Sequence, residues 1–430
     1  MAELSDVRTM GELADELKAL RARLRLTYKD LERRAARRGG TLGTGTLHDM
    51  LGRHTISEEK LRLYLAACEV APTETDAWVD AWRRARSGIP GGTTRGFFRH
   101  LITRHTKLFA GRDEEAARIL GFVRDRGTGY VFVEALSGYG KTSLLAHLVD
   151  RHPEFVYHFI HQGDKRVGGG FDPTDPVDVL SNVCEQLNPA HEHHRDLRLL
   201  EAEFQELLAR ERRRPTVIVL DGIDELDPPG RQLRTLLPLR PPPGLVLILS
   251  ARKWGRERGD GSYLTDVGLS EAAVDLRLTL PGLGPDAVVE LLRQAGGQHL
   301  ARDGDFVAEL HTVSQGDPFY LRFLVEDVAA GTLTPANVDR TPTGLEDYLD
   351  QQFDVLARSA HRPQHVEILG FLLEAEVLSQ GDLIALIDGL TWLNFRGIVR
   401  EIQRFLLVHD DQYTFCHDRF REYFKSKGGM

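Results

Sequence analysis

The segment Val131-Phe-Val-Glu-Ala135-Leu-Ser137-Gly138-Tyr139-Gly140-Lys141-Thr142-Ser143 constrains this chain more than any other. A short apolar strand, predicted over Tyr130–Glu134, runs into a glycine-rich turn, and a helix predicted over Thr142–Asp150 leaves it. Glycines let consecutive backbone N–H groups turn inward around an anion, and a helix opening at Lys141 adds the positive end of its dipole. The pattern is that of a loop cradling the phosphates of ATP or ADP. Ser137, Gly138, Tyr139, Gly140, Lys141, Thr142 and Ser143 are its expected contacts. Lys141 is expected on the β and γ phosphates and the Thr142 hydroxyl on Mg²⁺. Ala135 stands where the usual pattern has glycine.

A second apolar strand, Thr216–Leu220, ends in Asp221-Gly-Ile-Asp224-Glu225. Asp221 is expected to help hold Mg²⁺, and Asp224 or Glu225 to polarise an attacking water. A third strand, Leu245–Ser250, is followed by Arg252, a cation placed to sense a γ-phosphate or to pair with nearby carboxylates. The whole reading expects the strand ending in Asp221 to lie next to the strand that feeds the glycine turn.

With strands also predicted at Phe155–His161 and Leu276–Leu280, continuous apolar strands alternate with helices. That is the signature of a parallel sheet covered on both faces. After residue 280 the strands stop. Helices are predicted at Pro285–Ala295, Asp305–Val313 and Pro318–Ala329. Three more follow at Val366–Ala375, Gln380–Ile387 and Asn394–Arg404, then a two-stranded wing at Phe405–His409 and Tyr413–Cys416 and a closing helix. The expected fold is multidomain. A helix-turn-helix domain over 1–88 is followed by a linker over 89–107 and an α/β P-loop domain over 108–280, with helices on both faces of its parallel sheet. A helical lid over 281–345 and a winged-helix domain over 346–430 complete it.

Those motifs, in that order, resemble the STAND class of P-loop NTPases, which includes the NACHT and NB-ARC proteins. The resemblance covers about residues 105–425. Phe109-Ala-Gly111-Arg112-Asp-Glu114 is similar to the family segment whose backbone contacts adenine, so it implies Gly111 and Arg112 in the site. Asp221–Glu225 is similar to the NACHT magnesium-binding strand end, and Ser250-Ala-Arg252 to a γ-phosphate sensor. Gly316-Asp317-Pro318 matches a motif whose proline packs near adenine. Phe415-Cys-His417-Asp418 resembles a segment whose histidine meets the ADP β-phosphate. The resemblance implies a signalling ATPase of low turnover, closed with ADP, open and oligomerising with ATP.

Residues 9–69 read as short helices and look like an XRE/Cro-type helix-turn-helix of the kind common in actinobacterial proteins, with Thr46–Arg53 as the recognition helix. Residues 18–38 hold nine Lys and Arg against two acids. Arg33, Arg34, Arg37, Thr46, His48 and Arg53 are the residues expected on duplex DNA or on a protein partner. An ATP-dependent transcriptional regulator and a defence or death-type sensor that signals by oligomerising are therefore alternative functions. The chain stops soon after the wing, so sensing is expected from a continuation of the protein or from a partner.

Charge supports that division. The 430 residues carry a net −9, so the molecule as a whole is no polyanion binder. Residues 1–88 hold 16 Lys and Arg against 14 Asp and Glu, which leaves the remainder at −11. Nucleic-acid contact is thus expected in the N-terminal part. Three scattered cysteines, no signal-peptide pattern and no membrane-length apolar run set the expectation of a cytoplasmic protein without membrane contact.

Overall fold

The computed structural model describes residues 10–24, 26–38, 41–52, 56–71, 74–75, 77–79, 81–82, 95–161, 171–188, 191, 196–212, 214–226, 237–253, 262–375, 377–409 and 411–427. Its contacts divide the chain into two units, Met1–Arg99 with Gly168–Asp172, and His100–Val167 with Pro173–Met430.

The first unit contains the helices Met10–Arg23, Tyr28–Arg37, Thr44–Gly52 and Glu58–Ala67. Each begins or packs for a local reason. Thr27 and Asp30 form a reciprocal capping box, and Ser57 caps the fourth helix. Such caps satisfy N–H groups that a helix leaves unpaired at its start. Leu13, Leu17, Leu31, Leu47, Leu61 and Trp78 fill one core. Two of its polar-tipped side chains bond to backbone: Tyr64 donates to the Leu17 carbonyl and Trp82 to that of Ile56. Arg53, the side chain of His48 and the linker residues 87–94 lie outside the described residues.

The expected linker over 89–107 is corrected in its second half. Arg95–Thr106 is a helix, and its apolar stripe of Phe97, Phe98, Leu101 and Ile102 is buried. That i, i+1, i+4, i+5 spacing is one helix face.

The second unit begins with a five-stranded parallel sheet. Its strands are β1 (Gly129–Ala135), β2 (Val156–Phe159), β3 (Thr216–Asp221), β4 (Leu245–Arg252) and β5 (Leu276–Thr279), in the spatial order β2-β3-β4-β1-β5. Helices Asp113–Asp125, Pro176–Leu187 and Leu197–Ala209 are additions to the sequence reading. The expected adjacency of the Asp221 strand and the phosphate-loop strand is overturned, because β4 lies between β1 and β3. The register explains why the site survives. Ala135 pairs with Arg252, and Leu220 with Leu249, so β1, β3 and β4 all end at the same edge. Ligands of open α/β sheets bind at that carboxyl edge.

Beyond the sheet come helices Pro285–Gln294, Gly304–Ser314, Pro318–Ala329, Leu345–Ala357 and Arg362–Ala375. Helices Gln380–Leu386, Phe395–Ile402 and Asp418–Ser426 accompany an antiparallel sheet of β6 (Leu378–Ser379), β7 (Leu406–His409) and β8 (Gln412–Phe415), ordered β6-β8-β7. The two-stranded wing is therefore three-stranded. One apolar core runs from Leu283 to Phe424, so the parts expected as separate domains, 281–345 and 346–430, are packed on each other. Among the described residues, no helix is long and apolar enough to cross a membrane.

Candidate functional site

A cavity of about 530 Å³ opens at the carboxyl ends of β1, β3 and β4. Its floor is the turn 136–140 and the first residues of helix Lys141–Arg151. Gly140 caps that helix with φ of +87°, a conformation that side chains disfavour. Gly138 has φ of +79°, and a Cβ there would come within 3.2 Å of Phe319 and 3.1 Å of Arg419. Both glycines are thus favoured by backbone conformation, and Gly138 also by the closeness of the turn to what covers it.

Lys141 lies in the cavity wall, its Nζ 3.2 Å from the Ala135 carbonyl and 3.4 Å from that of Leu136. Burial pulls its pKa below the ordinary lysine value, and Asp224 and Asp221 oppose that pull. Asp221 closes β3 and is 4% exposed. Burial raises its carboxyl, while hydrogen bonds from Ser250 and Thr142 and the charge of Lys141 counter this. Ser250 is the residue of the intervening β4 that joins the two halves: its hydroxyl donates to Asp221 and accepts from the Gly222 N–H at 2.9 Å. The Thr142 hydroxyl and the Asp221 carboxylate are hard oxygen donors already in contact, the set that Mg²⁺ requires. The residues present therefore fit a nucleoside triphosphate and its magnesium ion.

The acidic pair beyond β3 divides its duties. Asp224 accepts the Arg252 backbone N–H at 3.1 Å and pairs with Arg252 Nε at 3.1 Å. Glu225 lies farther from the guanidinium, at 3.7 Å, and both carboxylates line the cavity. Arg252 also pairs with Asp418 and, at 3.3 Å, with Glu422 of the last helix. Burial disfavours its charge, but Asp418, Glu225 and Asp224 outweigh that and hold it protonated.

The roof comes from the C-terminal half of the unit. Pro318 and His417 both line the cavity, and the rings of Phe319 and His417 lie 4.4 Å apart. Asp317 caps helix Pro318–Ala329 through the N–H groups of Phe319 and Tyr320 and pairs with Arg419 at 2.5 Å. His417 caps the last helix, its Nδ1 accepting the Arg419 N–H at 3.1 Å. Burial holds the imidazole well below its ordinary pKa, so it is neutral.

The Gly111-Arg112 segment serves differently from the sequence expectation. Gly111 does not line the cavity; a Cβ there would stand 2.5 Å from that of Ala287. Arg112 touches the cavity, but its guanidinium is 3% exposed and donates to the carbonyls of Tyr139 at 3.1 Å and Pro281 at 2.7 Å. It ties the phosphate turn to the segment that follows β5. The Phe109 N–H and carbonyl are both bonded to the Gln294 side chain, at 3.0 and 2.8 Å.

Sequence reasoning missed Arg104, His105, His161 and Arg322, which also line the cavity. His105 Nδ1 is 3.0 Å from the Ser143 hydroxyl. Arg322 follows Pro318 by one helical turn, a spacing that could have revealed it. Arg104 and His105 sit on the helix taken for linker, where no motif signals them.

This sheet, turn and carboxylate define an ATP-binding P-loop ATPase domain. Residues 108–249 match the family model described as an AAA ATPase domain. No curated protein matches the chain by sequence. Among solved structures, the chain is similar to the STAND protein with a tetratricopeptide repeat sensor from Pyrococcus horikoshii, at 16% identity and a TM-score of 0.42, covering 75% of this chain and 43% of that one. It is also similar to the Drosophila ORC bound to DNA, at 14% identity and a TM-score of 0.38, covering 75% of this chain and 90% of that one. The Aeropyrum pernix ORC1 protein in complex with DNA gives 14% identity and a TM-score of 0.35, covering 75% and 94%. The chain spans under half the length of the first of these.

Proposed function

We propose that this protein is a nucleotide-gated signalling switch of the STAND kind, with ATP hydrolysis slow and conformational change as its output. The observation that carries this reading is that one cavity is lined by the phosphate turn, the lid residue Pro318 and the C-terminal His417 and Asp418. A ligand there touches every part that would have to move. Differential affinity for the two arrangements is what converts ligand identity into shape.

In this reading the turn residues Ser137–Thr142 hold the phosphates, with Lys141 on the terminal ones, and Thr142 and Asp221 hold Mg²⁺. The bound metal and nucleotide supply an electrophilic phosphorus with its charge partly neutralised. Glu225 is the residue placed to polarise water, while Asp224 keeps Arg252 in position. His417, neutral, contacts a diphosphate as donor without adding charge. Arg252 is shared between a γ-phosphate and Asp418, so ATP weakens the hold of the last helix. The β6–β8 sheet with its helices acts as a winged-helix arm, and the opened protein self-associates.

The N-terminal unit is read as a helix-turn-helix fold used for protein docking. Of its candidate phosphate contacts, Arg33 is paired with Asp30 and Arg34 with Glu69. Those pairs use charge that DNA binding would need.

The test is to identify the nucleotide that co-purifies with the protein, then compare particle mass with ADP and with a slowly hydrolysed ATP analogue. Larger particles with the analogue alone are expected. Equal mass in both sinks the switch, and absence of any adenine nucleotide affinity sinks the site.

A further inference from the structure

We infer that His361, His365 and Glu401 form a binding site for one transition-metal dication of the zinc type. The three residues stand where helix Arg362–Ala375 starts beside helix Phe395–Ile402, and none of them lines the nucleotide cavity. Each offers one ligand atom, and the three atoms lie within 4.8 Å of one another.

The spacing has a local cause. His361 and His365 are four apart at the head of one helix, so they share a face. Glu401 is delivered by the facing helix, whose Ile398 and Ile402 are buried in the common core. His361 Nδ1 is 2.8 Å from Glu401 Oε1, and His365 Nε2 is 3.8 Å from Glu401 Oε2. Nitrogen and oxygen ligands at about 2.0–2.2 Å around a tetrahedral zinc lie roughly 3.3–3.5 Å from each other. The two observed separations from Glu401 bracket that figure, and the histidine pair lies within 4.8 Å.

The donor chemistry points the same way. Two imidazoles and a carboxylate suit zinc, cobalt or nickel and suit calcium poorly. His365 is 1% exposed. One of its ring nitrogens, Nε2, is 3.0 Å from the Ile398 carbonyl, while Nδ1 is buried with no hydrogen-bond partner. A simple ion pair with Glu401 leaves that ring half satisfied. Nε2 is the nitrogen nearer Glu401, so an ion bound there takes the place of its Ile398 contact. His361 and Glu401 are 43% and 39% exposed, which gives an ion a way in and leaves a fourth position for water. Bound there, the ion clamps two helices of the C-terminal half.

The full chain, stripped with chelator, is titrated with Zn²⁺ by calorimetry and with Co²⁺ by visible absorption. One saturable ion per chain, the intense absorption of four-coordinate Co²⁺ and a raised Tm are expected. His361→Ala and Glu401→Gln, both at exposed positions that leave the core intact, should each weaken binding about tenfold or more. His193→Ala/His194→Ala, in the other histidine-rich stretch of the chain, should leave it unchanged. Absence of saturable binding in the native protein overturns the proposal. So does equal binding by His361→Ala, or loss of binding in the His193/His194 variant alone.

Discussion

Arg252, at the end of β4, is ion-paired with Asp418, in the first turn of the last helix, 166 residues away. The pair joins the nucleotide-binding sheet to the C-terminal arm directly above the phosphate turn. Its neighbours Asp224, Glu225 and Glu422 make the guanidinium the centre of an acidic cluster.

Asp418→Asn removes the strongest of those contacts while keeping size. Partly exposed pairs of this kind contribute about 1 kcal/mol or less, so the balance between closed and open forms should move up to about fivefold. Faster release of a fluorescent ADP analogue, and larger particles with ATP, are the expected readouts. An unchanged release rate would detach this pair from gating.

Lys141→Ala should abolish measurable ATP binding by calorimetry, because the ammonium that opens the helix after the turn is lost where phosphate charge must be offset. Ordinary affinity in that variant would relocate the nucleotide.

Glu225→Gln and Asp221→Asn should separate two roles. Glu225→Gln should keep Mg²⁺·ATP affinity within about threefold and lower single-turnover hydrolysis by about 10²-fold or more, the usual contribution of a general base. Asp221→Asn should weaken the Mg²⁺ dependence of ATP binding itself. If Asp224→Asn rather than Glu225→Gln shows the hydrolysis defect, the assignment of the water-polarising residue is reversed.

Acidification should destabilise the second unit through its buried histidines. Burial holds His105, His365 and His417 below the ordinary histidine range. For a group whose folded pKa is depressed, the unfolded chain takes up the proton first. The stability is therefore fully present above about pH 6.5, the unfolded value, and is lost as pH falls toward the folded one. Each such histidine adds a slope of at most about 1.4 kcal/mol per pH unit. Thermal unfolding between pH 7.5 and 5 should show Tm falling, and His417→Gln should flatten part of that fall. A Tm that is level across the range would show these rings to be solvated.

Duplex DNA should give no shift with the protein at low salt. Arg33 and Arg34 are engaged by acids, and Arg38 lies 3.7 Å from Glu69. A salt-dependent shift abolished by Arg37→Ala would restore the DNA reading for this unit.

Much of the site was legible because it is local. The turn 136–140 and the helix after it are contiguous, and their glycine, lysine and threonine chemistry is specific to phosphate. Asp221 was legible as the end of an apolar strand, and Pro318 and His417 through a family resemblance. The helix Arg95–Thr106 was passed over because its neighbours have linker composition, and its four buried apolar residues are too short a stripe to stand out. The carbonyl partners of Arg112 and the distant carboxylates of Arg252, Asp418 and Glu422, left no sequence signal.

The chain's own order of residues determined which backbone could wrap an anion and which side chains could meet a metal ion, since backbone conformation and helix dipole act over a few residues. Only the tertiary structure decided that β4 inserts between β1 and β3, that Ser250 bridges the gap to Asp221, and that Arg252 faces Asp418. Strand order and charge pairing depend on segments more than a hundred residues apart packing into a single dense interior, and no local pattern records which of them will become neighbours.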